Sequence, residues 1–380
     1  MRGGGRLSVV ERVTETRTGA ARASTLCDVP RSWREVTPAW MTAALSARLP
    51  GVVVSQVDVG PVAAGTNDRA RVLVSYGRGD GPASVFVKRH GRLVHRLALG
   101  VLGALGTEAR LAAAGEVLPL THPTLYAGGL EASRLATVVV MDDVVASGAT
   151  PNDAHRALSV DEVRAGLDGL AALHSRYWDR PLPAALRFLR PWRLGAAWAV
   201  ASELNLHRGV RRLRALGALD APERVADVHV LAAQFRESAR RAASGAQTLL
   251  HGDPHPGNTY ATAAGGTGFY DWQLARLGHW SHDVGYFLVS SLGAEDRRAH
   301  ERALLEGYLD GLGRLGVRRP RAARAWEQYR ATPAFGLATW LHTLSFATFQ
   351  PIDVCLATIS RFATAYDDLA TAHVVVSPGG

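Results

Sequence analysis

The apolar positions of this chain follow a strand-like pattern up to about residue 145 and a helical pattern after about residue 155. Three β-branched runs of strand length are separated by turns rich in Gly, Asn and Asp, and they span 51–60, 69–77 and 83–90. Two further runs, 122–129 and 134–144, have the same character. This pattern predicts an antiparallel sheet of five strands.

Helices are predicted beside the sheet and before it. The apolar spacing of residues 97–115 is that of one amphipathic helix. A short helix is predicted over 38–47, and residues 1–35 read as a poorly ordered tail. The polar segment 141–153, rich in residues that break regular structure, follows the last strand.

The remainder of the chain is predicted to be helical almost throughout. Periodicity of about 3.6 residues runs through 161–178, 221–243, 282–292, 296–312 and 320–372. One loop, "TLLHGDPHPGNTY" at 248–260, and one short strand, "GFYD", interrupt it. The sequence therefore predicts an α+β protein with a sheet-rich part and a helical part.

The length of the chain supports a division into parts. A chain of 380 residues exceeds the usual size of a single compact core, so two lobes are expected. We predict a tail and short helix over 1–50, a first lobe over 51–143, a linker over 144–154 and a helical lobe over 155–380.

Composition and charge narrow the classes of function. The apolar content of 47% and charged content of 20% are those of an ordinary globular protein. The net charge of +9 comes from arginines scattered along the chain, with small clusters at 208–214 and 318–324. Solvated helix faces explain these clusters better than a nucleic-acid surface does. We therefore expect no nucleic-acid partner.

Cysteine usage and hydropathy suggest the compartment. Cys27 and Cys355 lie near opposite ends of the chain and form neither a disulfide framework nor a metal-binding spacing. The charged N-terminus lacks the apolar core of a signal peptide. No run approaches the roughly 20 apolar residues of a membrane span. The expectation is a soluble, cytoplasmic protein with no membrane partner.

Lysine usage singles out one position. Of the 43 Lys and Arg residues, Lys88 in "SVFVKRH" is the only lysine. A chain that uses arginine wherever either cation serves should keep lysine only where a compact ammonium on a slim stem is needed. The alternative explanation is that the lysine at position 88 remains there by chance.

The loop at 248–260 carries side chains suited to metal and proton chemistry. Pro254, Pro256 and Gly257 prevent a helix, so the carboxylate of Asp253 can be held away from regular structure. Asn258 follows five residues later, and Asp271 comes after a turn and a short strand. A carboxamide and a carboxylate suit Mg²⁺, and a separate carboxylate can accept the proton of a hydroxyl nucleophile.

A lysine and a glutamate complete a set of residues for phosphoryl transfer. Lys88 on its strand can contact phosphate oxygens, and Glu108 on the predicted helix can hold that lysine by pairing with it. Glu116 lies two turns further on and is the alternative partner. Taken in order, these residues match the requirements of phosphoryl transfer from a nucleotide.

The motif "HGDPHPGN" followed by "YDWQ" resembles the catalytic-loop and metal-aspartate motifs of the aminoglycoside phosphotransferase and choline kinase superfamily. "LAALHSRYW" resembles the helix that precedes the loop in these small-molecule kinases. Gln273 follows Asp271 and the aromatic Trp272. A glutamine at this place resembles the bacterial and ecdysteroid-kinase-like branches of the superfamily. The resemblance runs from about residue 50 to the C-terminus and implies a two-lobed, protein-kinase-like fold that uses ATP, or GTP, and Mg²⁺.

The resemblance also implies a role for each matching residue. Asp253 would be the catalytic base, and Asn258 and Asp271 would hold Mg²⁺. Lys88 would contact the α- and β-phosphates with Glu108 as its partner. His251 would brace the loop, and Asp283 in "SHDVGYF" would support it through backbone amides. The remaining implied nucleotide contacts are Gly65, Thr66 and Asn67 in the loop 60–70 and Met141, Asp142 and Val144 in a hinge.

Three rival functions remain open from the residues. A metal-dependent hydrolase could use His251, Asp253 and His255, with His279 and His282 nearby. It would have no use for Lys88 or Asn258. A catalytically silent nucleotide-binding pseudokinase is a second alternative, although competent residues fill the catalytic positions. A protein kinase is a third, but the segment after Asp271 is too short for a peptide-binding platform.

The acceptor is expected to be a hydroxylated small molecule, an antibiotic or a metabolite. The region 331–366 offers Trp340, His342, Phe346 and Phe349 with the single acid Asp353. A polycationic aminoglycoside would need several carboxylates there, so a less charged acceptor is favoured. Acids from elsewhere, namely Glu203, Asp367 or Asp368, are the alternative source of charge. A monomer or a homodimer is expected.

Overall fold

The computed structural model describes residues 28–65, 67–101, 103–191, 196–217, 227–346 and 349–375. Most of the predicted tail lies outside these residues, as do Cys27 and Thr66. Within the described part, no helix is both long enough and apolar enough to cross a bilayer.

A five-stranded antiparallel sheet forms the first half of the fold, as predicted. Its strands are β1 (Val53–Val59), β2 (Asn67–Arg78), β3 (Ser84–His90), β4 (Leu125–Glu131) and β5 (Ala136–Asp142), in the order β1-β2-β3-β5-β4. Along β2, Ala70, Val72 and Val74 are buried and alternate with exposed residues. This alternation is the consequence of successive side chains pointing to opposite faces of a strand.

A short helix covers one face of the sheet. Helix α1 (Pro38–Ser46) begins after Thr37, whose hydroxyl accepts a hydrogen bond from the Trp40 amide at 3.3 Å. Met41 and Leu45 of α1 are fully buried against sheet residues such as Val72. The helix thereby closes an apolar core on that face.

Two helices replace the single helix predicted over 97–115. They are α2 (Leu93–Val101) and α3 (Thr107–Ala114). Gly103 and Gly106 lie between them with φ of +67° and +77°. A left-handed backbone ends a right-handed helix, and glycine adopts it without steric strain. The break redirects the chain, so that α3 packs on β4 and β5 with Glu108 in its first turn.

The second half of the fold is mainly helical. Its helices are α4 (Val160–Tyr177), α5 (Ala196–Ala215), α6 (Val228–Ala242), α7 (Ser281–Ser291), α8 (Ala294–Arg314), α9 (Ala322–Arg330), α10 (Thr332–Ser345), α11 (Ile352–Asp368) and α12 (Thr371–Val374). One apolar core runs through them and reaches Leu111 of α3 and Val139 of β5. The sheet and the helices therefore share packed contacts.

Five very short strands frame the loop at 248–260. They are β6 (Thr150–Pro151), β7 (Gln247–Leu250), β8 (Thr259–Ala261), β9 (Thr267–Phe269) and β10 (Arg276–His279). β7 pairs with β10, and β8 pairs with both β6 and β9. Only the strand at 268–271 was predicted, because strands of two to four residues are too short to show a period.

Candidate active site

Asp283 holds the backbone at the start of the loop between β7 and β8. Its carboxylate accepts hydrogen bonds from the amides of His251 at 2.6 Å and Gly252 at 2.9 Å, and it lies 3.3 Å from His174 Nε2. Burial alone would raise the pKa of Asp283, but the hydrogen bond and charge of His174 hold that pKa below its ordinary value. Asp283 therefore stays an anionic acceptor for this backbone.

Gly252 is required by the same turn. Its φ is +87°, and a Cβ there would lie 2.1 Å from the carbonyl oxygen of Leu274. A larger residue would push the loop away from the segment that follows Asp271. The glycine thus lets two functional segments approach each other.

His251 links the loop to the strand end that carries Asp271. One ring nitrogen, Nε2, lies 3.0 Å from the carbonyl oxygen of Tyr270, and Nδ1 accepts a hydrogen bond from the Asp253 amide at 3.3 Å. Burial lowers the pKa of His251, so the ring is neutral. Both nitrogens are therefore in contact with backbone groups, one in the loop and one at the strand end.

Asp253 and Asn258 face each other across the loop. The Asn258 side-chain nitrogen donates to the Asp253 carbonyl at 2.9 Å and to its Oδ2 at 3.2 Å. The Tyr286 hydroxyl of α7 also donates to the Asp253 carboxylate. Burial, followed by the nearby charge of Asp271, raises the pKa of Asp253 to about 7. A carboxyl group with such a pKa can take up a proton at neutral pH.

Lys88 lies between two carboxylates. Its Nζ is 2.7 Å from Glu108 Oε2 and 2.7 Å from Asp271 Oδ1. Burial would lower the pKa of Lys88, but the charges of Asp271 and Glu108 outweigh it and raise that pKa. Glu108 also accepts a hydrogen bond from the Trp272 amide at 3.1 Å. Lysine, aspartate and glutamate thus tie β3, α3 and the segment after β9 together.

Asp271 has an unusual backbone conformation. Its φ of +63° and ψ of +67° lie in the left-handed region, which non-glycine residues rarely adopt. Burial would raise the pKa of Asp271, but the charge of Lys88 outweighs it and lowers that pKa. Such a residue persists only where the surrounding contacts hold it, and here they keep an ionised carboxylate beside Asp253.

One cavity of about 1210 Å³ contains most of the predicted residues. Its walls include Lys88, Glu108, Asp253, Asn258, Asp271, Gly65, Asn67, Met141, Asp142 and Val144. His251 and Asp283 lie behind the wall, where they hold the loop. Thr66, the remaining predicted contact, lies outside the described residues.

The edges of this cavity are also fixed by hydrogen bonds. Asn67 donates to the side chain of Gln273 at 3.3 Å, which joins the loop before β2 to the segment after Asp271. Asp142 accepts from the Thr124 amide at 2.9 Å and from the Tyr126 hydroxyl at 2.5 Å. The Asp142 side chain therefore supports the end of β5.

The structure does not bring the predicted acceptor residues into the cavity. Trp340 and His342 of α10 are only 3% and 4% exposed. The Trp340 ring packs edge to face against His255 at 5.2 Å between centroids, and His342 Nε2 lies 3.0 Å from the Ser202 carbonyl. Phe346 packs against the ring of Phe349 and does not line the cavity. Only Phe349 of this group lines it. The prediction for Trp340, His342 and Phe346 was wrong, because apolar periodicity marks a buried helix face as readily as a pocket.

The alternative acids do not reach the cavity wall either. Glu203 lies 2.5 Å from His229 Nδ1, and Asp368 pairs with Arg297 and with Arg298 Nε at 2.7 Å. Neither is among the residues that line the cavity, and Asp367 is not among them. They therefore supply no charge for an acceptor in this cavity.

The histidines of the hydrolase alternative do not form a metal site. His255 Nδ1 accepts from the Gly257 amide at 3.1 Å, and burial lowers the pKa of His255 to about 4. Among the described residues, the one group of three His, Cys, Asp or Glu side chains close enough to share an ion is Glu203, His207 and His229, which lies elsewhere. The geometry therefore does not favour a zinc hydrolase at this loop.

Sequence reasoning missed two residues of the site. Tyr286 contacts Asp253 from α7, and Gln273 contacts Asn67. Tyr286 lies in an apolar helical run, where a tyrosine normally signals only core. Gln273 directly follows "YDW" in a motif quoted for the resemblance, so its position in the motif was the available signal.

The comparisons with known proteins agree with this geometry. The sequence model of the phosphotransferase enzyme family matches residues 58–330, whereas no curated protein matches the sequence significantly. Choline kinase from Cryptosporidium parvum Iowa II superposes with a TM-score of 0.52 at 11% identity, over 84% of this chain and 92% of that chain.

Two further solved structures superpose with lower TM-scores. A choline/ethanolamine kinase family protein from Mesorhizobium loti gives a TM-score of 0.45 at 15% identity, over 83% of this chain and 92% of that chain. Macrolide 2′-phosphotransferase from Brachybacterium faecium gives 0.43 at 17% identity, over 84% and 95%.

The fold is that of the two-lobed, protein-kinase-like class of proteins. The family match extends over well more than half of the sequence. The chain belongs to the phosphotransferase enzyme family, which confirms the resemblance drawn from its motifs.

Proposed function

We propose that this protein transfers the γ-phosphate of ATP to a hydroxyl group of a small molecule. One observation carries the proposal: Lys88, Glu108, Asp253, Asn258 and Asp271, far apart in sequence, meet in a single cavity. Their chemistry covers the three needs of phosphoryl transfer, which are phosphate binding, metal binding and proton removal.

The residues fit a divalent cation of the Mg²⁺ type. The Asn258 nitrogen is engaged by Asp253, which leaves its oxygen, Oδ1, to bind a metal. Lys88 contacts Asp271 through Oδ1, which leaves Oδ2 for the same purpose. Oxygen donors supplied by few protein residues are what Mg²⁺ prefers when phosphates complete its shell. When bound, the ion would neutralise charge on the β- and γ-phosphates.

The roles of the protein groups follow from their positions. Lys88 would bind phosphate oxygens as a point charge, oriented by Glu108 at 2.7 Å. Asp253 would orient the acceptor hydroxyl and take its proton, because its raised pKa of about 7 suits a base at neutral pH. Asp283 and His251 would keep Asp253 in place through the loop backbone.

The adenine end would lie at the exit of β5. We propose residues 51–143 as the nucleotide-binding lobe, 144–154 as the linker and 155–380 as the lobe that carries the catalytic loop. Met141, Asp142 and Val144 line the cavity at this point, where an adenine would lie against them. GTP is the alternative nucleotide.

We propose an acceptor with little positive charge, an antibiotic or a metabolite. Phe349, Pro351 and Val354 line the cavity near α11, and Asp153 of the linker lines it as well. An apolar wall favours a neutral hydroxylated molecule over a polycation, which would need several carboxylates.

The decisive experiment measures ADP release from ATP and Mg²⁺ with a panel of hydroxylated acceptors, comparing wild type with Asp253→Asn. We expect an acceptor-dependent activity in the wild type and a loss of kcat of at least about 100-fold in the variant, the lower range for a general base. ATP binding should remain. Asp168→Asn, an exposed carboxylate on α4, is the control that should keep full activity.

Full activity of Asp253→Asn would overturn the assignment of the base. ATP binding without turnover on any acceptor, in a wild type that binds Mg²⁺ through Asp271, would favour the pseudokinase alternative. Hydrolysis that needs zinc but no nucleotide would favour the hydrolase.

A further inference from the structure

A cluster of metal-binding side chains lies apart from the catalytic cavity. Glu203 and His207 are four residues apart on α5, and His229 is in the first turn of α6. A carboxylate oxygen of Glu203 and a ring nitrogen of each histidine all lie within 4.8 Å of one another. None of the three lines the catalytic cavity.

We propose that Glu203, His207 and His229 bind a divalent transition metal of the Zn²⁺ type. Two imidazoles and one carboxylate form a donor set that suits zinc and its neighbours in the periodic table, whereas Mg²⁺ and Ca²⁺ prefer oxygen ligands alone. Three protein ligands leave a fourth position for water. The exposed face of both histidines gives water access to that position.

The helices already hold the ligands close together. Residues four apart on a helix lie on the same face, so Glu203 and His207 point in one direction from α5. His229 Nδ1 is 2.5 Å from Glu203 Oε1, and the rings of His207 and His229 meet edge to face at 5.6 Å between centroids. Bonds of about 2.0–2.1 Å in a tetrahedral shell need ligand atoms roughly 3.4 Å apart.

Closing the cluster around an ion needs only small movements. The ligand atoms lie within 4.8 Å of one another, which exceeds the tetrahedral spacing by at most about 1.4 Å. His229 is 74% exposed, so its ring can rotate without disturbing packed neighbours. Glu203 is 34% exposed and is the best-held ligand.

The charges at the N-terminus of α6 allow His229 to bind a metal cation. The positive end of the helix dipole would disfavour a cation there. The Asp227 carboxylate caps this end by accepting from the amides of His229 and Val230 at 2.9 and 3.1 Å. Its negative charge offsets the dipole. A metal at the cluster would therefore connect α5 to α6 on either side of residues 218–226.

Zinc binding to the full-length protein tests the proposal, measured by competition with a chromophoric zinc chelator in the presence of saturating ATP and Mg²⁺. We expect one zinc ion at the cluster. His207→Gln and His229→Gln should each weaken this binding by at least about tenfold, the lower range for loss of a group that supports a metal. Both variants should keep the phosphotransferase activity of the wild type.

The chain offers a matched control. Asp296 and His300 are exposed on α8 with the same four-residue spacing but belong to no three-residue cluster among the described residues. His300→Gln should leave zinc affinity unchanged. Zinc held in the catalytic cavity would persist in His229→Gln and be lost in Asp271→Asn.

Thermal unfolding supplies a second readout. An ion that binds only the folded protein raises its melting temperature. Zinc should raise the melting temperatures of the wild type and of His300→Gln. It should raise the melting temperature of His229→Gln much less. Equal zinc affinity and equal stabilisation in wild type, His207→Gln and His229→Gln would overturn the proposal.

Discussion

Asp253 combines a raised pKa, which suits its proposed role as a base, with a cost to stability. Its carboxylate has a pKa raised to about 7 by burial and by the charge of Asp271, despite hydrogen bonds from Tyr286 and Asn258. A raised pKa means that the folded protein holds the proton more tightly than the unfolded chain does. Ionisation of this group therefore opposes folding.

The pH dependence of stability should reveal this opposition in the nucleotide-free protein. The ordinary pKa of Asp253 is 3.8 and the folded one about 7, so its stabilising contribution is complete below about pH 4. That contribution is lost as pH rises to 7. Asp253→Asn carries no such charge. The variant should be more stable than wild type above pH 7, by on the order of 1–2 kcal/mol.

Urea unfolding at pH 4.5 and pH 8 measures the effect. The difference in the free energy of unfolding between variant and wild type should grow from the lower to the higher pH. Asp168→Asn, on an exposed helix face, should show no such growth. A constant difference across this range would mean that the pKa of Asp253 is not raised in the folded protein.

At the scale of elements, the position of Glu108 depends on a close approach between α3 and β4. A Cβ built on Gly128 of β4 would lie 1.8 Å from the carbonyl oxygen of Ala109 in α3. The helix can therefore rest on the strand only where the side chain is missing. Glu108, the neighbour of Ala109, is held at the correct depth to meet Lys88.

Gly128→Ala should move α3 and harm both stability and activity. The clash is with backbone, so relief requires a shift of the helix, and a cost of about 1–3 kcal/mol is expected for such overpacking. Glu108 should then orient Lys88 less well, so that KM for ATP rises. Thermal unfolding and ATP kinetics measure the two effects.

Gly307→Ala is the matched control for that substitution. Gly307 lies in the middle of α8, and a Cβ there meets nothing within 4 Å. Alanine should stabilise the helix by roughly 0.5–1 kcal/mol. Its KM for ATP should equal that of wild type. If Gly128→Ala behaved like Gly307→Ala, the close approach would not position Glu108.

At the scale of the whole molecule, the cavity lies where the sheet meets the helical part. Lys88 on β3 reaches Asp271 at 2.7 Å, and Asn67 before β2 reaches Gln273. A nucleotide with its metal would replace or reinforce these contacts on both sides at once. Ligands that bind only the folded state stabilise it in proportion to the logarithm of their concentration over Kd.

ADP should therefore raise the melting temperature of the protein more strongly with Mg²⁺ than with a chelator present. At a ligand concentration of 100 times Kd, the stabilisation is about 2.7 kcal/mol. Asp271→Asn should remove most of the dependence on Mg²⁺, because an amide is a poorer ligand than a carboxylate and the site loses a charge. Thermal unfolding with a titration of Mg²⁺ measures this.

Asp153→Asn gives the comparison for that titration. Asp153 also lines the cavity, but it pairs with exposed Arg156 and we assign it no metal. Its Mg²⁺ dependence should match that of the wild type. Equal Mg²⁺ dependence in Asp271→Asn and wild type would contradict the assignment of Asp271 as a ligand.

The sequence by itself determined the five strands of the main sheet and the residues that the loop carries. Strand and helix patterns are local, since they depend on which face of a short segment is apolar, and the predicted five-strand sheet is found. The motif around Asp253 and Asn258 is local as well, because proline and glycine restrict the backbone whatever surrounds it. The sequence also shows, without a structure, that Lys88 is the only lysine of the chain.

Only the tertiary structure decided which distant residues meet. Glu108, not Glu116, contacts Lys88, because Gly103 and Gly106 end one helix and set the start of the next. Trp340 and His342 are buried in the core, although their spacing fits a pocket equally well. For the same reason, the sequence could not show that His229 lies beside Glu203. Local patterns carry no information about packing between distant segments, and these contacts arise from such packing.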